Sequence, residues 1–410
     1  MSYFEILKSV KPPLTPPLEK GEGRDGVILE QGEERNKARA GIIHTAHGDI
    51  QTPAFLPIGT KGAVKSVTSE ELKFWGADII LANTYHLWQR PGDALIYKAG
   101  GLHKFMNWKG PIFTDSGGFQ VFSLAKMRKV MEVGVLFQFD MDGRQEILSP
   151  EKSMQIQANL GSDICLILDD FPGFPFEYER SKESIALTKR WAERAIKEHK
   201  NILENGDPIN SGQKLWGIVQ GASFPDLREQ SAKDMVNLGF EGFAIGGVAV
   251  GEPHSEMMKA VNFAMPFLPE NAPKHLLGVG TPFDIVQAVA RGCDTFDCVI
   301  PTREARHGKL YVSAKWSVDS EQREGYSTIN IDNEKYKEDF TSVDNTCDCY
   351  LCLNHTRGYL RHLFATGEPL AIRLATMHNL KFYLNLMAKI RQSITYDYFE
   401  DMVKYYKEVK

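Results

Sequence analysis

The sequence predicts an α/β fold, a (β/α)8 barrel followed by a smaller, cysteine-bearing subdomain near the C-terminus. Eight short apolar runs recur between residues 51 and 310, segments of helical pattern separate most of them, and three cysteines fall within six residues after the last run. Short continuous apolar runs are typical of buried parallel strands, and helices between them place the strands in one parallel sheet. Eight such units close into a barrel.

The segments between the runs carry the start signals of helices. Ser149, Pro150 and Glu151 offer an N-cap, a proline at the first helical position and an acid in the first turn. We expect Pro253 and Pro282 to take the same first position in their helices. The eight runs are Pro53 to Ile58, Ala77 to Ala82, Pro111 to Thr114, Asp163 to Leu168, Leu215 to Val219, Gly239 to Ile245, His275 to Val279 and Thr295 to Ile300.

Composition narrows the class of protein. The chain has 410 residues, a formal net charge of -5 and 42% hydrophobic residues, which suits one large domain or two. Because the overall charge is mildly acidic, the chain has no general attraction for nucleic acid, and any nucleic-acid-binding site must be local. No apolar run reaches membrane-spanning length and the N-terminus lacks the pattern of a signal peptide, so we expect no membrane association. The six cysteines favour a reduced, cytoplasmic protein over a disulfide framework.

The positions of the apolar runs also predict how the chain divides into domains. Residues 1–50 are predicted to hold N-terminal strands, Tyr3 to Leu7 and Val27 to Glu30, separated by a flexible insertion rich in proline and glycine at 11–26. Residues 51–310 form the barrel, 311–390 the cysteine-bearing subdomain, and 391–410 a helix that completes the fold. The stretch 316–346 is polar, and we expect it to be irregular.

The cysteine cluster predicts a metal site. Cys347, Cys349 and Cys352 can face one ion, and a fourth ligand would complete a tetrahedral zinc shell. His378 is the first candidate, and His355 and His362 are nearer in sequence. A closed shell of three thiolates and one imidazole leaves no open position, so we expect one structural Zn²⁺ per subunit.

Three acids follow predicted strands at the barrel mouth: Asp115, Asp169 and Asp297. The fourth strand, which precedes Asp169, lies opposite the eighth strand, which carries Asp297. The third strand, which precedes Asp115, lies beside the fourth, so Asp115 and Asp169 can both face Asp297 across a substrate. Two facing carboxylates suit displacement at an anomeric carbon. Structural pairing with arginines, or helix capping, is the competing interpretation.

Other polar or small residues gather at the same strand ends. The pairs Gly117-Gly118 and Gly246-Gly247 let backbone approach a ligand closely, although glycines after strands often only form turns. Gln220 offers a donor and an acceptor to the edge of a planar heterocycle. Phe119 suits stacking on such a ring, or a place in the core.

Several stretches together resemble the bacterial tRNA-guanine transglycosylases of the queuine tRNA-ribosyltransferase family, in the family's order from about Ala38 to Met387. They are Thr52–Thr60, Asn83–Leu87, Thr114–Leu124, Gly217–Gly221, Gly246–Pro253, Phe296–Arg303 and Cys347–Cys352.

The resemblance implies an irregular TIM barrel with a C-terminal zinc subdomain, acting as a homodimer. The implied pentosyl transfer exchanges the wobble guanine of tRNAs with GUN anticodons (aspartate, asparagine, histidine and tyrosine) for 7-aminomethyl-7-deazaguanine, in queuosine biosynthesis. Asp297, rather than Asp294, is implied as the nucleophile that forms a covalent intermediate with the ribose, and Asp115 as the general base. His378 is implied as the fourth zinc ligand.

The resemblance also implies two sets of binding residues. The tRNA anticodon loop is expected to contact two segments, residues 278–284 and 302–306. Their members are Gly278, Val279, Gly280, Thr281, Pro282, Phe283, Asp284, Thr302, Arg303, Glu304, Ala305 and Arg306. The residues expected to bind the base are Asp115, Ser116, Gly117, Gly118, Phe119, Asp169, Gln220, Gly247 and Val248.

A few positions depart from the bacterial pattern. Phe171 stands where relatives usually carry Cys, Val248 replaces the usual Leu, and Leu277 the usual Met. Val250 matches the bacterial enzymes and favours the small aminomethyl base over the bulkier queuine.

Three other functions compete with the bacterial enzyme. An archaeal-type transglycosylase acting on the D-arm is expected to need further RNA-binding domains after the cysteine cluster. A non-catalytic, zinc-bearing tRNA-binding subunit is disfavoured by the three acids together. A retaining glycosidase would need an aromatic-lined sugar cleft, which the sequence does not indicate.

Overall fold

All eight predicted runs form strands of one parallel sheet. The structure, a computed structural model, describes residues 2–10, 36–118, 128–138, 143–318 and 321–406. The strands, in chain order, are β1 (Phe4–Ser9), β2 (Arg39–Thr45), β3 (Gly48–Thr52), β4 (Ala54–Leu56), β5 (Ile58–Gly59), β6 (Ile80–Ala82), β7 (Ile112–Thr114), β8 (Arg128–Met131), β9 (Gly134–Gln138), β10 (Gln145–Leu148), β11 (Ile164–Leu166), β12 (Lys214–Val219), β13 (Gly242–Ile245), β14 (Lys274–Leu276), β15 (Thr295–Asp297), β16 (Lys309–Val318) and β17 (Glu321–Asn330).

The helices lie mainly between these strands and after them. In chain order they are α1 (Ser69–Phe74), α2 (Thr84–Gln89), α3 (Asp93–Lys98), α4 (Gly101–Phe105), α5 (Pro150–Leu160), α6 (Tyr178–Asn205), α7 (Pro225–Leu238), α8 (His254–Ala264), α9 (Pro282–Ala290), α10 (Ile300–Arg306), α11 (Tyr350–Asn354), α12 (Arg357–Ala365), α13 (Pro369–Thr395) and α14 (Phe399–Tyr405), with 3-10 turns at Met265–Phe267 and Glu334–Tyr336.

The first apolar run closes the barrel, because its two halves, β4 and β5, pair with strands on either side. The order of hydrogen-bonded neighbours is β4-β15-β14-β13-β12-β11-β7-β6-β5. Pro57 separates β4 from β5, so that β4 pairs with β15 while β5 pairs with β6, both in parallel. A proline has no N–H for the ladder, which explains why the run divides there. The predicted barrel is confirmed, with β11 opposite β15 and β7 beside β11.

The helix starts follow the sequence signals with one correction. The Ser149 hydroxyl accepts from the Lys152 N–H, and Pro150 begins α5. Pro282 likewise begins α9, behind the Thr281 cap. Pro253, predicted at the first helical position, is instead the N-cap residue of α8, with extended backbone.

Two antiparallel sheets are not part of the predicted alternation of barrel strands and helices. β8, β9 and β10 form a three-stranded antiparallel sheet between β7 and α5. β16 and β17 form an antiparallel hairpin, so the expectation of irregular structure from residue 316 was wrong for the hairpin. A two-stranded ribbon can leave much of its surface in water, so its second strand needs few apolar residues and gives a weak signal.

The N-terminal sheet confirms one predicted strand. β1 covers most of the predicted Tyr3 to Leu7 and pairs with β2, which pairs with β3. The predicted strand Val27 to Glu30 and the insertion at 11–26 lie outside the described residues. The boundary proposed at residue 390 falls within α13, and the division into domains stays a prediction.

Polar contacts with two buried carboxylates, Asp294 and Asp163, hold the amino ends of the strands, at the floor of the barrel. The Arg39 guanidinium donates to both carboxylate oxygens of Asp294, at 2.8 and 2.6 Å, and both side chains are buried. His47 and His103 contact the buried Asp163 carboxylate, at 2.8 and 3.4 Å. Burial opposes ionisation of Asp163, but the hydrogen bonds from the two histidines help to outweigh it and lower its pKa. These pairs tie the N-terminal sheet and α4 to the barrel.

The long helix α13 joins the C-terminal subdomain to the barrel. The Asn379 side chain donates at 3.0 Å to the carbonyls of Pro301, in α10, and Lys309, at the start of β16. Tyr383, one turn further, donates to the Gly280 carbonyl at 2.6 Å. The subdomain is thereby fixed against the loops that follow β14 and β15. Within the described parts of the chain, no helix is both long and apolar enough to span a membrane.

Candidate active site

The three predicted acids lie at the carboxyl edge of the barrel. Asp115 directly follows β7, Asp169 follows β11 by three residues, and Asp297 is the last residue of β15. Asp294 lies at the other end of the barrel, in the ion pair with Arg39. The structure therefore separates two acids that are three residues apart in sequence, and only Asp297 reaches the mouth.

Asp115 is held by neutral donors. Its Oδ1 accepts from the N–H groups of Thr84 (2.9 Å) and Gly117 (3.2 Å), and its Oδ2 accepts from the side-chain amide of Asn83. Burial raises the pKa of Asp115 to about 7 against the pull of these donors, and the charge of Asp297 adds to the rise. A carboxyl group with this pKa exchanges a proton readily at neutral pH.

Asp169 and Gln220 form a second, fully buried pair. Asp169 accepts from the Ser116 hydroxyl at 3.1 Å and from the Gln220 amide nitrogen at 2.6 Å. Burial raises the pKa of Asp169 to about 7, opposed by these two donors and reinforced by the neighbouring Asp170. The Gln220 Oε1 is buried and has no hydrogen-bond partner in the described parts of the chain. An orphaned acceptor of this kind indicates that a ligand donor completes the site.

Glycines line this pair because no side chain fits. A Cβ at Gly118 would lie 2.2 Å from the Asp169 carboxylate, and one at Gly247 would lie 2.4 Å from the Gln220 Oε1. Gly247 also has φ +64°, in the left-handed region. The Gly246 carbonyl accepts from the buried Arg228 guanidinium at 2.9 Å, so the Gly247 N–H of that trans peptide points away from the arginine.

Asp297 has one oxygen bound on two sides. Its Oδ1 accepts from the Gly278 N–H and faces the His275 Nε2, each at 3.0 Å, and among the described residues nothing bonds Oδ2. The fully buried His275 ring contacts Thr295 through Nδ1, at 2.9 Å, and packs on Phe113 with 4.8 Å between ring centroids. Sequence reasoning missed His275. The register that pairs His275 with Thr295 would have revealed it, since residues alternate along each strand.

The two predicted RNA segments begin beside Asp297. Gly278 opens the first, and its N–H bonds the acid. Gly280 packs against Cys298, where a Cβ would approach to 2.2 Å. On α10, Arg303 is exposed, whereas Arg306 is half-buried and donates to the Thr302 carbonyl at 3.1 Å.

The positions that depart from the bacterial pattern are in or near this site. Phe171 and Val248 are buried, at 8% and 6% exposure, and Leu277 is half-buried after β14. Val250 is half-buried, and its N–H donates to Glu252 at 2.8 Å. Phe119, predicted to stack on the base, lies outside the described residues.

The cysteine cluster includes His378 and neither rival histidine. The ligand atoms of Cys347, Cys349, Cys352 and His378 all lie within 4.8 Å of one another. The His378 Nε2 lies 2.7 Å from the Tyr311 carbonyl, which fixes its hydrogen there and turns the Nδ1 lone pair to the thiols. This group can hold a metal ion, and its sulfur-rich donors are compatible with zinc.

A second set of potential ligands, His47, His103 and Asp163, is better explained as structural. The two imidazole rings stack with centroids 3.6 Å apart and planes 17° from parallel, which prevents one ion from lying in the plane of both. The Asp163 oxygens also accept from the Ile112 N–H and the His47 N–H.

Comparison with known proteins decides the family. The family model described as queuine tRNA-ribosyltransferase matches residues 34–409. The chain belongs to the queuine tRNA-ribosyltransferase family. A protein of that name from Streptococcus uberis is 51% identical over 369 residues, covering 90% of this chain and 92% of the relative. Those from Streptococcus sanguinis and Streptococcus pneumoniae are each 50% identical, over 92% and 93% of this chain and 95% of each relative.

Membership confirms the resemblance seen in the motifs and makes this chain an enzyme of the ribosyltransferase class. The barrel and the cysteine–histidine cluster agree with the fold that the resemblance implies. Since the match extends from residue 34 to 409, it includes the barrel mouth and the metal cluster together.

Proposed function

We propose that this protein is a tRNA-guanine transglycosylase of the bacterial type. It would exchange the wobble guanine of GUN-anticodon tRNAs for 7-aminomethyl-7-deazaguanine, a step of queuosine biosynthesis. The observation that carries the proposal is the pairing at the mouth. Asp297 has one carboxylate oxygen that no described residue bonds, and its charge raises the pKa of the nearby Asp115. This arrangement supports Asp297 as the nucleophile and Asp115 as the proton carrier.

In the first displacement, the Oδ2 of Asp297 attacks the ribose C1′. The bond from C1′ to N9 of guanine breaks, and its electron pair leaves with the base. Asp115, with a pKa of about 7, is protonated in part of the molecules at neutral pH and supplies the proton that the departing guanine takes. The product is an ester-like bond between Asp297 and the ribose.

In the second displacement, the incoming base replaces the enzyme. Asp115, now ionised, removes a proton from the base, whose nitrogen attacks C1′ and releases the Asp297 carboxylate. Two inversions give net retention at C1′. Because the covalent intermediate conserves the energy of the glycosidic bond, the exchange needs no nucleoside triphosphate.

Base recognition belongs to the buried pair beside these acids. Asp169 can accept from the ring N–H and amino groups of a guanine-like base, the Gly247 N–H can donate to its carbonyl, and Gln220 Oε1 awaits a donor. We propose that Ser116, Gly117, Gly118 and Val248 line the pocket of the base and that Phe119 stacks on its ring.

Recognition of RNA is proposed for residues 278–284 and 302–306, which flank Asp297. The target base must leave its stack before C1′ can be reached, which is least costly in a single-stranded anticodon loop. Arg303, exposed on α10, is suited to contact a phosphate.

The metal and the assembly complete the proposal. Cys347, Cys349, Cys352 and His378 would hold one Zn²⁺ per subunit, which when bound would fix α11 against α13 and leave no open position for catalysis. We also propose that the protein acts as a homodimer, as the family resemblance implies.

The test is incorporation of labelled guanine into unmodified tRNA with a GUN anticodon, together with a denaturing gel that detects the RNA–protein adduct. Wild-type protein should incorporate the label at the wobble position, and Asp297→Asn should form no adduct. Asp294→Asn, three residues away and at the opposite end of the barrel, is the matched control. Its folding is checked by circular dichroism, because Asp294 pairs with the buried Arg39, and the folded variant should retain the adduct. Incorporation in the D-arm would favour the archaeal-type enzyme, and none with zinc-replete protein would leave the non-catalytic subunit.

A further inference from the structure

His275 is a buried histidine in direct contact with the proposed nucleophile. Its ring is fully buried, and its Nε2 lies 3.0 Å from Asp297 Oδ1. An ionised carboxylate can only accept, so the hydrogen between them belongs to the histidine. His275 therefore presents the Nε2–H tautomer to Asp297.

The tautomer is supported from the other side of the ring. The Nδ1 lies 2.9 Å from the Thr295 hydroxyl, which can donate to an unprotonated ring nitrogen. Phe113, on β7 across the barrel, packs against the ring at 4.8 Å. Ring orientation and tautomer are thus both set by neighbours on other strands.

We propose that His275 is a positioning residue that selects which oxygen of Asp297 attacks the ribose. Together with the Gly278 N–H it occupies Oδ1, which leaves Oδ2 as the oxygen turned to the substrate. The inference rests on the proposed function, in which Asp297 forms the covalent bond. Without the histidine, the carboxylate would lose one of its two restraints and rotate more freely about its last bond.

The consequence falls on the chemical step rather than on binding. A hydrogen bond to a charged group and the alignment of a nucleophile each affect rates by about ten- to hundredfold. His275 is fully buried, so it makes no direct contact with tRNA. The rate of adduct formation should therefore change while tRNA affinity stays the same.

The experiment compares three variants in single-turnover adduct formation, with tRNA binding measured by filter retention. His275→Phe removes the donor and should slow the adduct by about ten- to hundredfold, with tRNA Kd within about twofold of wild type. His275→Gln can place an N–H near the same point and should recover most of the rate. Thr295→Val removes the partner of Nδ1 and should give an intermediate loss, and it serves as the decisive variant if His275→Phe does not fold.

The controls separate three failures. His103→Gln changes another buried histidine at the opposite end of the barrel and should leave adduct formation unchanged. Adduct formation by His275→Phe, or by Thr295→Val in its place, at the wild-type rate would overturn the positioning role. Equal losses in the Gln and Phe variants, with weaker tRNA binding, would assign His275 a structural role instead. No adduct in wild-type protein would refute the proposed function itself.

Discussion

Asn83 provides the sharpest test of Asp115 as the proton carrier. Its side-chain amide is the one donor to Asp115 Oδ2 among the described residues, whereas Oδ1 has two backbone donors. Asn83→Ser removes that donor and keeps a residue that can cap α2, as Asn83 does by accepting from the His86 N–H. The ionised form of Asp115 then loses stabilisation.

The expected magnitude follows from the strength of such a bond. A hydrogen bond to a charged group contributes about 1.5 to 3 kcal/mol, and water can replace part of it because Asp115 is half-buried. The net loss is therefore about 1.4 kcal/mol, or about one pKa unit. The pKa of Asp115 would move from about 7 to about 8. The ionised fraction at pH 7 would fall from about one half to about one tenth, an about fivefold loss.

The assay is the pH dependence of kcat/KM for the incoming base, at saturating tRNA, from about pH 5.5 to about pH 9.5. Because Asp115 must be ionised to act as base, activity should rise with pH through about 7 in wild type and about 8 in Asn83→Ser. At the alkaline end the two enzymes should converge.

Asp169 also has a pKa of about 7, so a control must distinguish the two acids. Ser116→Ala removes a donor to Asp169 and none to Asp115. An acid limb that shifts in Ser116→Ala and not in Asn83→Ser would show that Asp169 is the titrating group. A constant loss at every pH in Asn83→Ser, with no shift, would refute the assignment of Asp115.

Three further perturbations have defined outcomes. His378→Ala should lower the metal content measured by plasma mass spectrometry, because the cluster loses one of four ligands. His355→Ala should retain the wild-type metal content. The reverse result would show that the wrong histidine was chosen. Gly247 has a positive φ, and Gly247→Ala would place a methyl group 2.4 Å from the buried Gln220 Oε1. The variant should raise KM for the base at least about tenfold with little change in tRNA affinity. An unchanged KM would show that the base binds elsewhere. Arg39→Leu leaves a buried carboxylate without its cation and should reduce the free energy of unfolding by about 3 to 5 kcal/mol in urea titrations, and a loss below about 1 kcal/mol would refute the importance of that pair.

Much of the barrel could be predicted from the sequence because its signals are local. Each strand is a short apolar run, and each helix start is written in adjacent residues such as Ser149 and Pro150. The two antiparallel additions could not be predicted in the same way. The strands of β8–β10 and of the hairpin are polar on part of their surface, and strand pairing depends on residues distant in sequence.

The candidate site shows the same limit at the level of single side chains. Strand ends and motifs identify Asp115, Asp297 and Asn83, but they do not show that Asn83 bonds Asp115, 32 residues away. They also do not show that His275 bonds Asp297, 22 residues away. These pairs exist only once β6 lies beside β7 and β14 beside β15. A sequence gives the residue types at a barrel mouth, and the register decides which of them meet.

The nature of the partner distinguishes acids that the sequence alone treats as equal. Asp170 and Asp294 are bound by the guanidinium groups of Arg180 and Arg39, in structural pairs at 2.7 and 2.6 Å. Asp169, next to Asp170 in sequence, accepts among the described residues from the neutral donors Ser116 and Gln220.

Neutral donors restrain a carboxyl group without fixing its charge, so that burial can raise its pKa toward neutrality, as it does for Asp115 and Asp169. An arginine in the same position would hold the group ionised and occupy the oxygen that a substrate needs. For the adjacent acids Asp169 and Asp170, we therefore propose the substrate contact for Asp169, whose described donors are neutral, and not for Asp170, which pairs with Arg180.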